Sequence, residues 1–387
     1  MKYKLASSSW DDKEKKALFD VIESNYFTMG AKTLQFEKDF SKYLNVKYSV
    51  MVNSGSSANL LMVATLLYSK KFNLDENSEV IVPAVSWSTT YFPFHQCNFK
   101  IKFVDIDKET YNIELKNLID AITDNTKIIC AVNLLGNPCD YNELLNICKE
   151  KNIILLEDNC ESLGAKYKNQ LAGSFGLMST HSFFFSHHIS TMEGGMISTD
   201  DEELYQILLS LRAHGWTRNL PKNNLISTKK NENEFYELFN FVLPGYNLRP
   251  LELEAAVGIK QLEKIDTIVN NRRKNADYFK NKFRESKIFK VQTETEESSW
   301  FGFGVKFNKI EDRNYNIKIY SNSNIECRPI VAGNFTRNPV IKYLKYSIHG
   351  QLNNSNYIHE HGIFFGNSHE DLTKEIDYLH EMTKETK

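Results

Sequence analysis

Ser182-Phe183-Phe184-Phe185-Ser186-His187-His188-Ile189-Ser190-Thr191-Met192-Glu193-Gly194-Gly195 joins an apolar run to a glycine pair through a polar turn that carries two adjacent histidines. The pattern predicts a strand over Ser179–Phe185, a reversal around the histidines, and a second strand over Gly195–Ser198. No lysine occurs between Gln170 and Pro221, in a chain that holds 47 lysine and arginine residues. A turn next to two strand ends, rich in imidazole and free of amines, is a place to look for chemistry.

Working outward, short runs rich in Val, Ile and Phe alternate with segments of helical period. Strands are predicted at Tyr48–Val52, Glu79–Pro83, Ile101–Asp105, Lys127–Val132 and Ile153–Glu157. Helices are predicted at Ser57–Tyr68, Leu115–Ala121, Tyr141–Glu150 and Glu202–Ala213. This alternation is that of an α/β fold with a mostly parallel, mixed sheet flanked by helices. Pro250–Ser286 opens with proline and spaces Leu253, Val257, Leu262 and Ile265 along one face, as a single long linking helix would. Beyond it come a strand at Ser299–Val305 and an amphipathic helix at Asp371–Met382. The expected partition is a large domain over residues 1–250 and a linking helix with a smaller C-terminal α+β domain over 251–387. Lys222–Glu234, rich in Asn and Lys, reads as a surface loop without fixed structure.

The bulk numbers narrow the function. The chain has 387 residues, 41% hydrophobic and 25% charged, which suits a large core. Its formal net charge is -2, without a basic stripe, so no nucleic-acid partner is expected. No apolar run reaches the ~18 residues of a membrane span. Cys97, Cys130, Cys139, Cys148, Cys160 and Cys327 show no C-x-x-C spacing. With the polar start Met1-Lys2-Tyr3-Lys4, they predict reduced thiols and a cytoplasmic location.

Three further segments end strands with residues suited to a flat anionic ligand. Asn53-Ser54-Gly55-Ser56-Ser57-Ala58-Asn59 opens a helix, where backbone N–H groups and hydroxyls can meet a phosphate; an ordinary N-cap reads the same way. Ile153-Ile154-Leu155-Leu156-Glu157-Asp158 ends in a carboxylate that either caps a turn or holds a pyridine nitrogen, with Glu161 three residues on. Trp87, in Pro83-Ala84-Val85-Ser86-Trp87-Ser88-Thr89-Thr90, is a stacking ring or a core ring. A metal pair from His187 and His188 is disfavoured, because neighbouring side chains point apart on regular structure and no further ligand motif accompanies them.

Taken together these motifs make the chain resemble the sugar aminotransferase family of fold type I pyridoxal-phosphate (PLP) enzymes. Within that family it is similar to the GDP-4-keto-6-deoxymannose 3-dehydratases of colitose biosynthesis. The resemblance also rests on Ala6-Ser7-Ser8-Ser9-Trp10-Asp11-Asp12, Phe27-Thr28-Met29-Gly30, Glu157-Asp158-Asn159-Cys160-Glu161 and His214-Gly215-Trp216-Thr217-Arg218. Pro244-Gly245-Tyr246-Asn247-Leu248-Arg249-Pro250, Ser298-Ser299-Trp300-Phe301-Gly302-Phe303 and Arg328-Pro329-Ile330-Val331-Ala332-Gly333-Asn334-Phe335 complete it.

The resemblance implies that Gly55, Ser56 and Ser182 bind the cofactor phosphate, with Asn247 reaching it from a second subunit. It implies Trp87 over the ring, Asp158 at the pyridine nitrogen and Glu161 at the ring hydroxyl. His187 falls where the family has its lysine. His188, His214, Arg218, Arg249 and Arg328 are implied at the substrate, although Arg328 reads equally as a solvated surface residue. An imidazole neither condenses with PLP nor tethers it, but with an ordinary pKa of about 6.5 it can take a proton near neutral pH. The implied activity is therefore removal of the C3 hydroxyl from a nucleotide-linked 4-keto-6-deoxy sugar, using freely bound pyridoxamine phosphate (PMP). L-glutamate restores the amine, and a homodimer shares its sites.

Other readings stay open on sequence grounds. An iron–sulfur branch of the dehydratases would need clustered cysteines, which are absent, so no iron–sulfur cluster is expected. A 4-aminotransferase would need a lysine for proton transfer. A silent homologue acting as a binding subunit would not be expected to keep every cofactor-contacting residue. GDP or CDP, and hexose or heptose, fit the same chemistry.

Overall fold

The computed structural model describes residues 2–386. Its principal strands are β1 (Tyr48–Val52), β2 (Glu79–Pro83), β3 (Lys100–Val104), β4 (Thr126–Val132), β5 (Ile154–Asp158), β6 (Met178–Ser182), β7 (Gly195–Thr199), β8 (Phe289–Val291), β9 (Gly302–Phe307), β10 (Cys327–Arg328), β11 (Tyr346–Ile348) and β12 (Gly362–Gly366). The large sheet runs β1-β7-β6-β5-β4-β2-β3-β11. Only β7 is antiparallel to its neighbours, so the C-terminal ends of β1, β2, β4, β5 and β6 meet at one edge. That edge is where ligands collect in open α/β sheets.

Both faces of this sheet are covered, which is why its strands read as continuous apolar runs. The principal helices of the first half are α1 (Asp12–Ser24), α2 (Ala31–Leu44), α3 (Gly55–Tyr68), α4 (Ser88–Gln96), α5 (Leu115–Ala121), α6 (Tyr141–Lys151) and α7 (Glu202–Arg212). Helix α3 is buried at Leu61, Met62, Val63 and Ala64 in succession, because β6, β7, α4 and α7 surround it. Its apolar stretch therefore wraps the whole helix and forms no stripe. The opposite face is filled by α5 and α6 through Leu118, Leu144 and Ile147.

The predicted long helix is two: α8 (Glu252–Leu262) and α9 (Ile265–Lys282). The break is a tight turn in which Lys264 N–H reaches back three residues to the Gln261 carbonyl. It also places Lys264 Nζ against Asp11 and Glu14, each at 2.7 Å. Pro250 precedes the helix, whose N-cap is Leu251. Strand β6 stops at Ser182 because the chain turns at Phe184, whose carbonyl accepts from His187 N–H at 2.9 Å. The stretch Lys222–Glu234 is not structureless: Asn223–Asn224 pairs with Thr228–Lys229 as a short hairpin.

The remaining principal helices are α10 (Ile310–Asn322), α11 (Asn353–His361) and α12 (Thr373–Met382). A second sheet, β8-β9-β12-β10, is antiparallel throughout and packs on α9 and α12 through Phe279, Phe303, Phe365, Ile376 and Leu379. Two segments tie the layers together. Tyr3 pairs with Ile325 and its hydroxyl donates to the Gly366 carbonyl at 2.8 Å. Strand β11 returns from the C-terminal half to lie parallel to β3. No helix among the described residues is long and apolar enough to cross a membrane.

Candidate active site

A cavity of about 610 Å³ lies at the strand-end edge of the large sheet. Its floor is Asp158, the last residue of β5 and 6% exposed. Asp158 Oδ2 accepts from the Thr90 hydroxyl at 2.6 Å and from Asn59 Nδ2 at 3.0 Å, and Oδ1 accepts from Cys160 N–H at 3.2 Å. Thr180 in turn donates to Asn59 Oδ1 at 2.5 Å, so the amide is locked. The carboxylate is fixed by three donors, two on Oδ2 and one on Oδ1, and keeps acceptor capacity on Oδ1.

One wall is the start of α3. Ser54 caps it, accepting from Ser57 N–H at 3.1 Å, and Ser56 donates to the Thr89 hydroxyl at 3.0 Å. A Cβ on Gly55 would stand 2.5 Å from Ser182 Cβ, so only glycine lets the helix N-terminus close on the end of β6. The result is a cradle of N–H groups and hydroxyls from Gly55, Ser56 and Ser182 at the positive end of a 14-residue helix. Trp87, at the N-cap of α4, lines the same cavity and leaves 56% of its surface exposed. That exposure decides between the two readings of this ring: Trp87 is not in the core. A phosphate cradle, an uncovered indole and a carboxylate with a free lone pair fit a flat phosphorylated pyridine.

Glu161 accepts from Leu135 N–H at 2.9 Å. Desolvation, with Asp158 nearby, pushes its carboxyl up to about 7. It can therefore hold or release a proton near neutrality.

His187 lines the cavity with Phe184, Ser186, Glu193 and Phe301. Its ring meets Phe301 edge to face at 5.1 Å and Phe184 at 6.2 Å. Burial among these rings, reinforced by the Arg272 guanidinium, pushes the imidazole down to about 3, so it is neutral at physiological pH. No lysine lines this cavity among the described residues. Arg328 does line it, and it pairs with no carboxylate among the described residues.

Other expected site residues lie elsewhere. His188 is 1% exposed, with Nε2 3.0 Å from the Ser299 carbonyl, and does not line the cavity. Asn247, His214, Arg218 and Arg249 cluster away from their own chain's cavity. The Arg218 guanidinium stacks on Trp216 at 4.0 Å, and Arg249 Nε donates to Asn247 Oδ1 at 3.0 Å. Asn59, Thr90, Glu193, Phe301 and Arg272 were not singled out from the sequence. Asn59, Thr90, Glu193 and Phe301 sit inside motifs that were, whereas Arg272 on α9 gave no signal at all.

The sequence profile described as the DegT/DnrJ/EryC1/StrS aminotransferase family matches residues 8–382. The chain belongs to that family. Among DegT/DnrJ/EryC1/StrS relatives, the GDP-4-keto-6-deoxy-D-mannose 3-dehydratase of Escherichia coli O55:H7 is 53% identical over 385 residues, 99% of each chain. A solved structure of the E. coli enzyme with bound hydrated PLP superposes with a TM-score of 0.97 at 53% identity, covering 99% of this chain and 100% of that one. A second structure of a GDP-4-keto-6-deoxymannose 3-dehydratase, holding a trapped PLP–glutamate geminal diamine, matches with the same TM-score, identity and coverage.

Proposed function

We propose that the chain removes the C3 hydroxyl of GDP-4-keto-6-deoxy-D-mannose, giving the 3,6-dideoxy-4-keto sugar, with PMP as the bound amine and L-glutamate as its source. The observation that carries this reading is His187 in a cavity whose lining, among the described residues, includes no lysine. Bound PMP supplies an amine for the 4-keto carbon and a ring that takes up the electron pair left when its aminomethyl carbon loses a proton.

The residues then have distinct work. Gly55, Ser56 and Ser182 hold the phosphate, and with no covalent tether they and Trp87 carry the binding. Asp158 faces the pyridine nitrogen, where its charge supports a protonated ring. Glu161 faces the ring hydroxyl. His187 would accept the aminomethyl proton, the transfer that precedes loss of the sugar C3 hydroxyl as water. A lysine here would deliver a proton back and leave the amine on the sugar; histidine lets the amine depart as ammonia. Arg328 anchors an anionic group of either substrate, the diphosphate or a glutamate carboxylate, in bidentate fashion. Overall, keto sugar and glutamate become deoxy sugar, 2-oxoglutarate and ammonia.

Residues 1–250 form the cofactor domain in this reading, and 251–387 the link and small domain that bring Phe301 and Arg328 over the cavity. Asn247, His214, Arg218 and Arg249 are exposed or half-buried polar groups outside their own cavity. A homodimer gives them a role, each chain completing its partner's site. The enzyme works in the cytoplasm, in the making of a dideoxy sugar such as colitose for lipopolysaccharide O-antigen.

The test incubates the protein with PLP, glutamate and GDP-4-keto-6-deoxy-D-mannose and follows sugar mass with 2-oxoglutarate. A product lacking one oxygen, with ammonia released, supports the reading. A product carrying nitrogen makes the chain an aminotransferase despite His187.

A further inference from the structure

Arg272, on α9, is 4% exposed and forms no ion pair among the described residues. Its Nη1 donates to the carbonyl of Phe301 at 3.0 Å and reaches that of Trp300 at 3.4 Å, while its Nε has no partner. Burying an arginine without a carboxylate is costly, and an apolar side chain of similar volume would fill the space at less expense in stability. A fold that retains such a group uses it for something besides packing.

The carbonyls it holds belong to a turn that is fixed from several sides. Trp300 sits in the left-handed region at φ 48°. Asn367 Nδ2 donates to the Trp300 carbonyl at 2.9 Å, His188 Nε2 lies 3.0 Å from that of Ser299, and Phe301 N–H donates to the Leu135 carbonyl at 3.0 Å. This turn touches both histidines, and the one that lines the cavity is His187, against whose ring Phe301 stands at 5.1 Å.

We infer that Arg272 is a positioning residue for His187, clamping the Ser299–Phe301 turn so that Phe301 holds the imidazole edge-on to the cavity. The guanidinium charge has a separate effect on the same ring: it disfavours the imidazolium, so removing it raises the His187 titration. The other charged or titratable groups around His187 are His188 beside it and Asp158, Cys160, Glu161, Glu193 and Arg328 in the cavity lining. The clamp rests on the reading of His187 as the proton acceptor.

The test compares Arg272→Met, Arg272→Lys, Phe301→Leu and the Met/Leu double variant. Each is measured for kcat and KM of sugar deoxygenation, for Tm, and for His187 titration by NMR of labelled histidine. Arg272→Met lowers kcat by about tenfold with KM within about twofold, and its His187 titrates higher by about one unit. Arg272→Lys keeps the low titration. Phe301→Leu loses a similar factor in kcat, and the double variant loses no more than the worse single one, as coupled residues do. A fall in Tm with unchanged His187 titration, or additive losses in kcat, overturns the proposal. If Arg272→Met shifts the titration and leaves kcat intact, only the charge reaches His187 and the clamp is overturned; near wild-type deoxygenation by His187→Asn would instead overturn the assignment of His187 as proton acceptor.

Discussion

At position 187 one side chain separates two chemistries, because an amine condenses with PLP and an imidazole does not. His187→Lys should therefore develop the visible absorbance of a covalent lysine–PLP link, at the expense of deoxygenation; no band after PLP addition would show that residue 187 does not face the cofactor. Glu161 offers a second residue-level test. Its carboxyl ionises at about 7 in the folded chain, against an ordinary 4.5. The folded state then binds the extra proton between those values, so stability is full below pH 4.5 and falls as the pH rises through 7. Without cofactor, the wild-type Tm should drop by a few degrees relative to Glu161→Gln across this window, and parallel curves would refute the shift. Most of this site was legible: Gly55, Ser56, Trp87, Asp158, Glu161, Ser182, His187 and Arg328 all line one cavity. Asn59, Thr90 and Arg272 were not, because their roles are hydrogen bonds to other site groups, and such bonds leave no spacing pattern.

Elements matter here through their ends. The N-terminus of α3 and the end of β6 touch at Gly55, where an added Cβ meets Ser182 Cβ at 2.5 Å. Gly55→Ala should push the two apart and weaken PMP binding, read from quenching of Trp87 fluorescence, by at least ~10-fold, about 1.4 kcal/mol. Unchanged affinity would mean that the phosphate binds elsewhere. The loop bearing His187 is held at its far end too. The Trp10 indole donates to the Ser190 carbonyl at 2.9 Å, and Gln261 Oε1 accepts from Ser190 N–H at 3.1 Å. Trp10→Phe removes the first of these bonds and should lower kcat more than it raises KM. The central strands were readable because burial on both faces writes them as unbroken apolar runs. Helix α1 was missed, since its polar sequence buries only Glu14, Ala17 and Val21. Helix α4 hides behind Thr90, Tyr91, Phe92 and Pro93, and β11 is an exposed edge strand without alternation. The break between α8 and α9 keeps the apolar spacing, so periodicity alone runs straight through it.

For the whole molecule the open element is the second copy. Asn247, Arg218 and Arg249 lie outside their own chain's cavity, in a segment that also exposes Phe235, Phe239 and Phe241. If each chain completes its partner's site, mixing inactive His187→Asn with inactive Asn247→Ala chains should restore activity, because one site of the hybrid dimer is intact. An active monomer on gel filtration, or no recovery on mixing, would contradict shared sites. The account as a whole stands on His187 taking the proton whose removal expels the C3 hydroxyl. The most direct measurement loads His187→Asn with PMP and follows GDP-4-keto-6-deoxy-D-mannose by mass through a single turnover. PMP should bind as in the wild type, with deoxygenation at least ~100-fold slower, the usual size of a lost proton acceptor; loss of the oxygen at a near wild-type rate would contradict the account.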